Sequence, residues 1–164
     1  MMALCCRFTL FPAVAGLRRT IMRLTIRTSL AMRALMYCAA NPDRTVRKHD
    51  IAEACKVSEN HLAQVVHALG QKGFLATQRG RSGGLRLGRP MEEITVGQVF
   101  RALEAEVPFA ECFGADTECP LRAACRLNCV LAEALEAFYA KLDTVTLADL
   151  VAGNRPLADL LRAA

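Results

Sequence analysis

Cys112, Cys119, Cys125 and Cys129 fall within 18 residues, spaced C-x6-C-x5-C-x3-C. Thiols so close together bind soft metals, pair as disulfides or stay free. Zinc sites favour pairs separated by two to four residues, so that each chelate turn closes tightly. The first three cysteines are spaced too widely for that habit. An iron–sulfur cluster, a larger object held by thiolates on separate iron atoms, fits a long loop better. Cys125 opens a predicted long helix, where the positive end of the dipole favours thiolate and an anionic cluster. Cys129 lies one turn further along the same face and can point toward Cys125. Structural zinc, disulfides and free core thiols are the alternatives, and Cys129 alone reads equally as a ligand or a small apolar residue.

The other four of the eight cysteines carry less. Cys38 and Cys55 sit singly in apolar helical patterns and read as core, while Cys5 and Cys6 read as incidental. Clustered cysteines in a chain without a convincing export signal point to metal rather than to a secreted disulfide scaffold.

A second chemistry lies in the charges. Between Ser58 and Pro90 five bases (Lys72, Arg79, Arg81, Arg86, Arg89) face one acid, Glu59. Between Glu104 and Cys119 there are five acids and no base. One end therefore suits phosphates and the other does not, although the net charge of the whole is only +5.

These groups need elements to position them. Leu30, Ala34, Leu35 and Cys38 recur at helical spacing between Thr28 and Ala40, with Thr28 or Ser29 as cap, and Asn41-Pro42 ends the helix. A second helix is predicted over about 47–55 and a third over about 59–72, capped by Ser58 and stopped by Gly73. The period then changes to two short strands, Phe74–Gln78 and Leu85–Leu87, around a glycine-rich basic tip at 79–84. A fourth helix over about 96–106, the cysteine loop, a long helix over 125–143 and a short helix after Thr146 complete the chain.

Helix, tight turn, helix and basic hairpin in that order make a winged helix-turn-helix. The fold class is mainly α (α+β), with a long C-terminal dimerisation helix. The start of the recognition helix would enter the major groove, exposing Ser58, Glu59, Asn60, His61 and Gln64 opposite Leu62, Val65 and Leu69. Asn60 and Gln64 can pair with adenine. Gly83 and Gly84 thin the wing for close approach, and Arg79, Arg81 and Ser82 supply charge and hydrogen bonds to phosphates or a narrow minor groove. Leu131, Leu135, Phe138 and Leu142, spaced by four, three and four, form a coiled-coil-like seam. Such a seam packs on its own domain or on a second copy, and a two-fold operator requires a homodimer.

Hydrophobic content of 53% with no Trp and two Tyr favours helices over a sandwich. Three stretches follow: 1–21, a disordered extension or sequence upstream of a true start at Met22; 22–90, the DNA-binding region; 91–164, the cluster loop and dimerisation helices. The first stretch has an apolar run broken by Pro12 and Gly16, too short to span a bilayer, with Arg18 and Arg19 on the wrong side for a secretory signal. A cytoplasmic location without membrane contact is expected. Nothing pairs a nucleophile with a base or a phosphate loop with a pocket, so no enzyme is expected.

The segments MRLTIRTSLAMRALMY from Met22, VSENHLAQVVHALGQKGFL from Val57, RGRSGGLRLGRP from Arg79, CPLRAACRL from Cys119 and LDTVTLADLVAGNRPLADLL from Leu142 carry a resemblance. Over about seven-eighths of its length the chain resembles the nitric-oxide-sensing NsrR-type repressors within the IscR-type winged-helix regulators. The wing is common to the wider group; TLADL followed by N-x-PL is particular to the nitric oxide sensors. The resemblance implies that Cys112, Cys119 and Cys125 ligate a cluster, [4Fe–4S] ahead of [2Fe–2S]. It also implies that nitric oxide releases the repressor from operators of NO-detoxification genes. A regulator of iron or cluster status with the same fold is the alternative, and a small electron-transfer protein the alternative from another class.

Two positions depart from the group. Some members complete the cluster with an Asp from the partner subunit's first helix, where this chain has Ser29. Others use a His three residues after the third cysteine, where this chain has Asn128. Cys129 or Ser29 is then the candidate fourth ligand, with water or a small thiol as the other options.

Overall fold

The computed structural model describes residues 25–78, 80, 83–104, 109–114, 118–121 and 124–162. The N-terminal extension lies outside the described residues, as do Arg79, Arg81 and Ser82 of the wing tip.

Helix α1 (Ile26–Ala40) is the hub. Ten of its fifteen residues are buried, so it carries apolar side chains on nearly every face rather than on one stripe. It packs against α2 (Lys48–Cys55), α3 (Glu59–Gln71), α4 (Val96–Glu104), α6 (Leu147–Val151) and α7 (Arg155–Arg162). Leu30, Leu35 and Tyr37 are among its fully buried side chains, and each such leucine contributes about 1.5–3 kcal/mol. The helix starts earlier than the sequence suggests. Thr25, not Thr28 or Ser29, is the cap: its hydroxyl accepts from the Thr28 N–H at 3.2 Å. Thr28 itself is fully buried, and the Thr25 N–H and hydroxyl donate to the Glu104 carboxylate at 3.2 and 2.7 Å. A contact 79 residues away in the chain therefore fixes where the helix begins.

Asn41 closes α1, its amide donating to the Tyr37 carbonyl at 2.9 Å. Helix α2 then leads into a turn in which Lys56 adopts the left-handed conformation, φ 53°, while the Val57 N–H donates to the Ala52 carbonyl. Helix α3 follows, capped by Ser58, whose hydroxyl accepts from the His61 N–H. Gly73, at φ 74°, ends it in the conformation that glycine tolerates best.

Strands β1 (Leu75–Gln78) and β2 (Gly84–Leu87) pair antiparallel, with Leu75 opposite Leu87 and Gln78 opposite Gly84. The hairpin has a third member that the periodicity did not reveal. Val46, in the connection before α2, exchanges both backbone hydrogen bonds with Leu85, at 3.0 and 2.7 Å. This bridge ties the wing to the front of the helix pair.

Helix α5 (Arg126–Asp143) runs back across α4. Phe138 meets Phe100 with ring centroids 6.3 Å apart, and the Arg101 guanidinium lies 4.3 Å over the Tyr139 ring while bonding Asp143 at 2.9 Å. Thr146 caps α6 reciprocally with Asp149, so the Asp149 carboxyl is held below its ordinary range by the Thr146 N–H and hydroxyl. Helix α7 was not foreseen as a separate element. Asn154 accepts from the Leu157 N–H to start it, and Leu157 and Leu161 pack on the core. One hydrophobic core, from Leu30 to Val151, is shared by the stretches before and after residue 90.

Candidate nucleic-acid interface and cysteine centre

On α3 the 3.6-residue period separates two faces cleanly. Leu62, Val65, Val66 and Leu69 are buried, while Glu59, Asn60, His61 and Gln64 are exposed. Asn60, His61 and Gln64 therefore project hydrogen-bonding groups from the first turns, where a groove-entering helix needs them. Glu59 is already engaged. Its carboxylate meets His49 Nδ1 at 3.0 Å, across from α2. That contact holds the His49 pKa above the ordinary histidine value, chiefly through the hydrogen bond to Glu59 and then its charge.

In the wing, Gly83 donates to the Gly80 carbonyl at 2.9 Å, and Gly80 has φ 115°, a value that favours glycine. Gly84 also serves the packing of the wing itself. A Cβ there would lie 2.5 Å from the Val46 carbonyl oxygen and 2.6 Å from Thr45 Cγ2. Its bareness admits the chain's own backbone. Arg86 and Arg89 are tied to their own chain: the exposed Arg86 donates from Nε to Thr45 Oγ1 at 2.9 Å, and the half-buried Arg89 guanidinium covers the Phe74 ring at 4.8 Å.

Cys112 sits in a short 3-10 turn, Glu111–Phe113, and is half-buried. Cys119 is exposed, Cys125 is the half-buried cap residue of α5, and Cys129 is exposed one turn on. All four are free thiols. Asn128 reaches from the first turn of α5 to the Cys112 carbonyl, donating at 3.4 Å, and so brings the Cys112 turn to the helix end that carries Cys125. Among the described residues no three Cys, His, Asp or Glu converge on one point. The donor set is nonetheless of the kind that suits iron: soft thiols on one loop and one helix start, none consumed by a disulfide. Ser29 lies half-buried in the first turn of α1. Cys38, by contrast, is shut in the core, where burial pushes its thiol up to about 12.

The proposed seam divides. Leu131 and Leu135 are half-buried, whereas Phe138 and Leu142 pack against the core of their own chain. No residue of α5 is fully buried, and Leu127 and Val130 are 61% and 58% exposed. An apolar face at the start of α5 thus looks outward, and these two residues were missed because they precede the seam. Arg47, Lys48 and His49, exposed at the start of α2, were missed as well. The run Arg47-Lys48-His49 opening the first helix of such a motif was a usable signal, because that helix crosses the phosphate backbone.

Residues 24–153 match the Rrf2 family, described as iron-dependent transcriptional regulators. Among curated relatives, the chain is 43% identical over 143 residues to the HTH-type transcriptional regulator NsrR of Geobacillus kaustophilus, covering 86% of this chain and 97% of that protein. It is 45% identical to the protein aau3 of Rhizobium meliloti, over 85% and 92% of the two chains. The NsrR of Bacillus subtilis is 41% identical over 86% and 98%. Among solved structures, T. potens IscR superposes with a TM-score of 0.62 at 24% identity, covering 78% of this chain and 85% of that one. CymR, the global cysteine regulator of B. subtilis, does so at 0.60 and 24% identity, over 80% and 97%. These two likenesses establish the winged-helix fold.

Proposed function

The chain belongs to the Rrf2 family of transcriptional regulators, and on that premise we propose that it is a cytoplasmic, homodimeric DNA-binding repressor that responds to nitric oxide. Its cluster, [4Fe–4S] rather than [2Fe–2S], is held by Cys112, Cys119 and Cys125. Cys129 completes the set, with Ser29 of a second copy as the other candidate. The observation that carries the reading is the Asn128–Cys112 hydrogen bond, which places a turn bearing one free thiol against the helix start bearing another. The choice of nitric oxide rests on the TLADL and N-x-PL segments and their resemblance to the nitric-oxide-sensing branch.

The DNA-facing work falls to the exposed face of α3 and to the wing. Asn60, His61 and Gln64 read base edges, and the wing, braced by the Val46–Leu85 bridge, carries Arg79, Arg81 and Ser82 to the phosphates. Leu127 and Val130, continuous with Leu131 and Leu135, offer the second copy an apolar face. When bound, the cluster supplies iron to which nitric oxide can attach. The cysteines' part is to hold the Cys112 turn, and with it the stretch that follows α4, to the start of α5. Glu104 is the last residue of α4 before that stretch, and its carboxylate grips Thr25 at the head of α1. A rearranged loop therefore reaches α1, and through the α1 core the α2–α3 pair packed on it.

The test is a DNA mobility shift with anaerobically purified protein before and after nitric oxide, beside its absorption spectrum. Release from DNA together with a changed iron chromophore is the expected result. DNA binding that follows iron supply but ignores nitric oxide makes the protein an iron- or cluster-status regulator instead. A coloured protein without sequence-selective DNA binding makes it an electron carrier.

A further inference from the structure

Glu59 poses a problem for a DNA-reading helix. It is the first residue of α3, exposed, and adjacent to Asn60 and His61, so a free carboxylate there would face the phosphates with the wrong sign. Left to itself it could also accept from cytosine N4, changing which base is preferred. It is not left to itself. His49 Nδ1 holds its Oε1 at 3.0 Å, while His49 Nε2 lies 3.9 Å from Glu53 on the same helix as His49.

We propose that His49 is a specificity-determining positioning residue, clamping Glu59 toward α2 so that Asn60, His61 and Gln64 dominate base reading. The inference rests on the DNA-binding reading above. Three observations carry it. The contact joins the two helices of the motif directly, in the exposed region that a duplex would cover. The remaining side-chain hydrogen bond at the head of α3 is the Ser58 cap, so among the described residues only His49 restrains the Glu59 head group. The third is charge: a protonated His49 cancels the Glu59 carboxylate and adds a cation where α2 crosses the phosphates.

The groups facing His49 are Glu59 from α3 and Glu53 and Asp50 from its own helix, all acidic and all favouring the charged form. The clamp is therefore complete below the ordinary histidine range and weakens as pH rises through the raised His49 value. DNA affinity should follow the same sign, being tighter at low pH.

The experiment selects duplexes from a randomised library with wild-type protein, H49Q, H49A, E59Q and H49A/E59Q. Affinities for the wild-type-selected duplex are then measured at about pH 6 and about pH 8.5. H49A is expected to lose about two- to fivefold in affinity and to alter the preferred base at one position in each half-site. E59Q should flatten the pH dependence, and the H49A loss should largely vanish in the E59Q background. Unchanged base preference in H49A, or losses that simply add in the double variant, overturns the clamp while leaving DNA binding intact. A wild-type protein that selects no sequence removes the DNA-binding reading and the clamp with it.

Discussion

The Asp143 carboxylate fills the space that a side chain at Gly97 would need. A Cβ built on Gly97 would stand 2.7 Å from Asp143 Cγ and 2.9 Å from its backbone nitrogen, and Arg101 one turn further along α4 bonds the same carboxylate. The end of the long helix is thus seated directly on the backbone of α4. In an unhindered helix a glycine-to-alanine change stabilises by up to about 1 kcal/mol. Here overpacking wins: Gly97→Ala should destabilise by about 1–3 kcal/mol, because backbone as well as side chain must move. Gly70→Ala is the control, since its nearest foreign atom is 3.9 Å away, and it should stabilise. Urea midpoints of the three proteins decide it, and a stabilising Gly97→Ala rejects the tight α4–α5 seat.

The wing permits a parallel test. At Gly84 a new Cβ would strike the Val46 carbonyl and Thr45 Cγ2, both on the segment that pairs with Leu85. Gly84→Ala should break the Val46–Leu85 bridge, cost about 1–3 kcal/mol and weaken DNA binding by loosening the wing. Hydrogen exchange at the Val46 and Leu85 amides should rise first. Unaltered protection of those two amides would show that the strand tolerates the methyl group.

What could be read from residues alone followed from local signals. Ser58, the apolar spacing of Leu62, Val65 and Leu69, and Gly73 marked α3 because cap, period and stop all act within one element. The missed features depend on distant partners. Thr25 caps α1 because Glu104 holds it, and Val46 becomes a strand partner only once β2 has folded beside it. The C-terminal TLADL segment was legible as a helix start after Thr146, whereas the second helix that N-x-PL opens was not. Thr146 and Asp149 form a capping box and Asn154 starts α7, so the motif encodes two helix starts beside α1. In the site, the stretch from Cys112 to Cys129 was legible from residue type. The Asn128–Cys112 contact and the His49–Glu59 pair were not, since each joins residues from two different elements.

Cys38 predicts an alkaline weakness. Burial keeps its thiol protonated up to about pH 12 in the folded chain, against 9.0 for an unperturbed thiol. Between those values the unfolded chain loses the proton while the folded chain keeps it, so stability falls as pH rises. The loss should approach about 1.4 kcal/mol per pH unit above about pH 9 and be absent below it. Urea unfolding of wild type and Cys38→Ala across that range should show the wild-type curve dropping more steeply. Parallel curves would mean that the folded chain opens enough to solvate the thiol.

For the proposed cluster, the fourth ligand separates a site made by one chain from a site shared by two. Cys129 is exposed four residues after Cys125, on the helix turn whose Asn128 already holds the Cys112 carbonyl, so a thiolate there can join the set within one chain. Ser29 offers only a hydroxyl, a harder donor that stays protonated at neutral pH, and the resemblance to the family implies that it would come from a second copy. Cys129→Ala should therefore shift the cluster's absorption and Mössbauer spectra and speed iron loss, whereas Ser29→Ala should leave both unchanged. The single alanine variants of Cys112, Cys119 and Cys125 should retain their helical circular dichroism but no stoichiometric iron, which separates lost ligation from lost folding. If Cys129→Ala keeps the wild-type spectra while Ser29→Ala alters them, the cluster bridges two chains, and its loss should loosen the dimer as well as the loop.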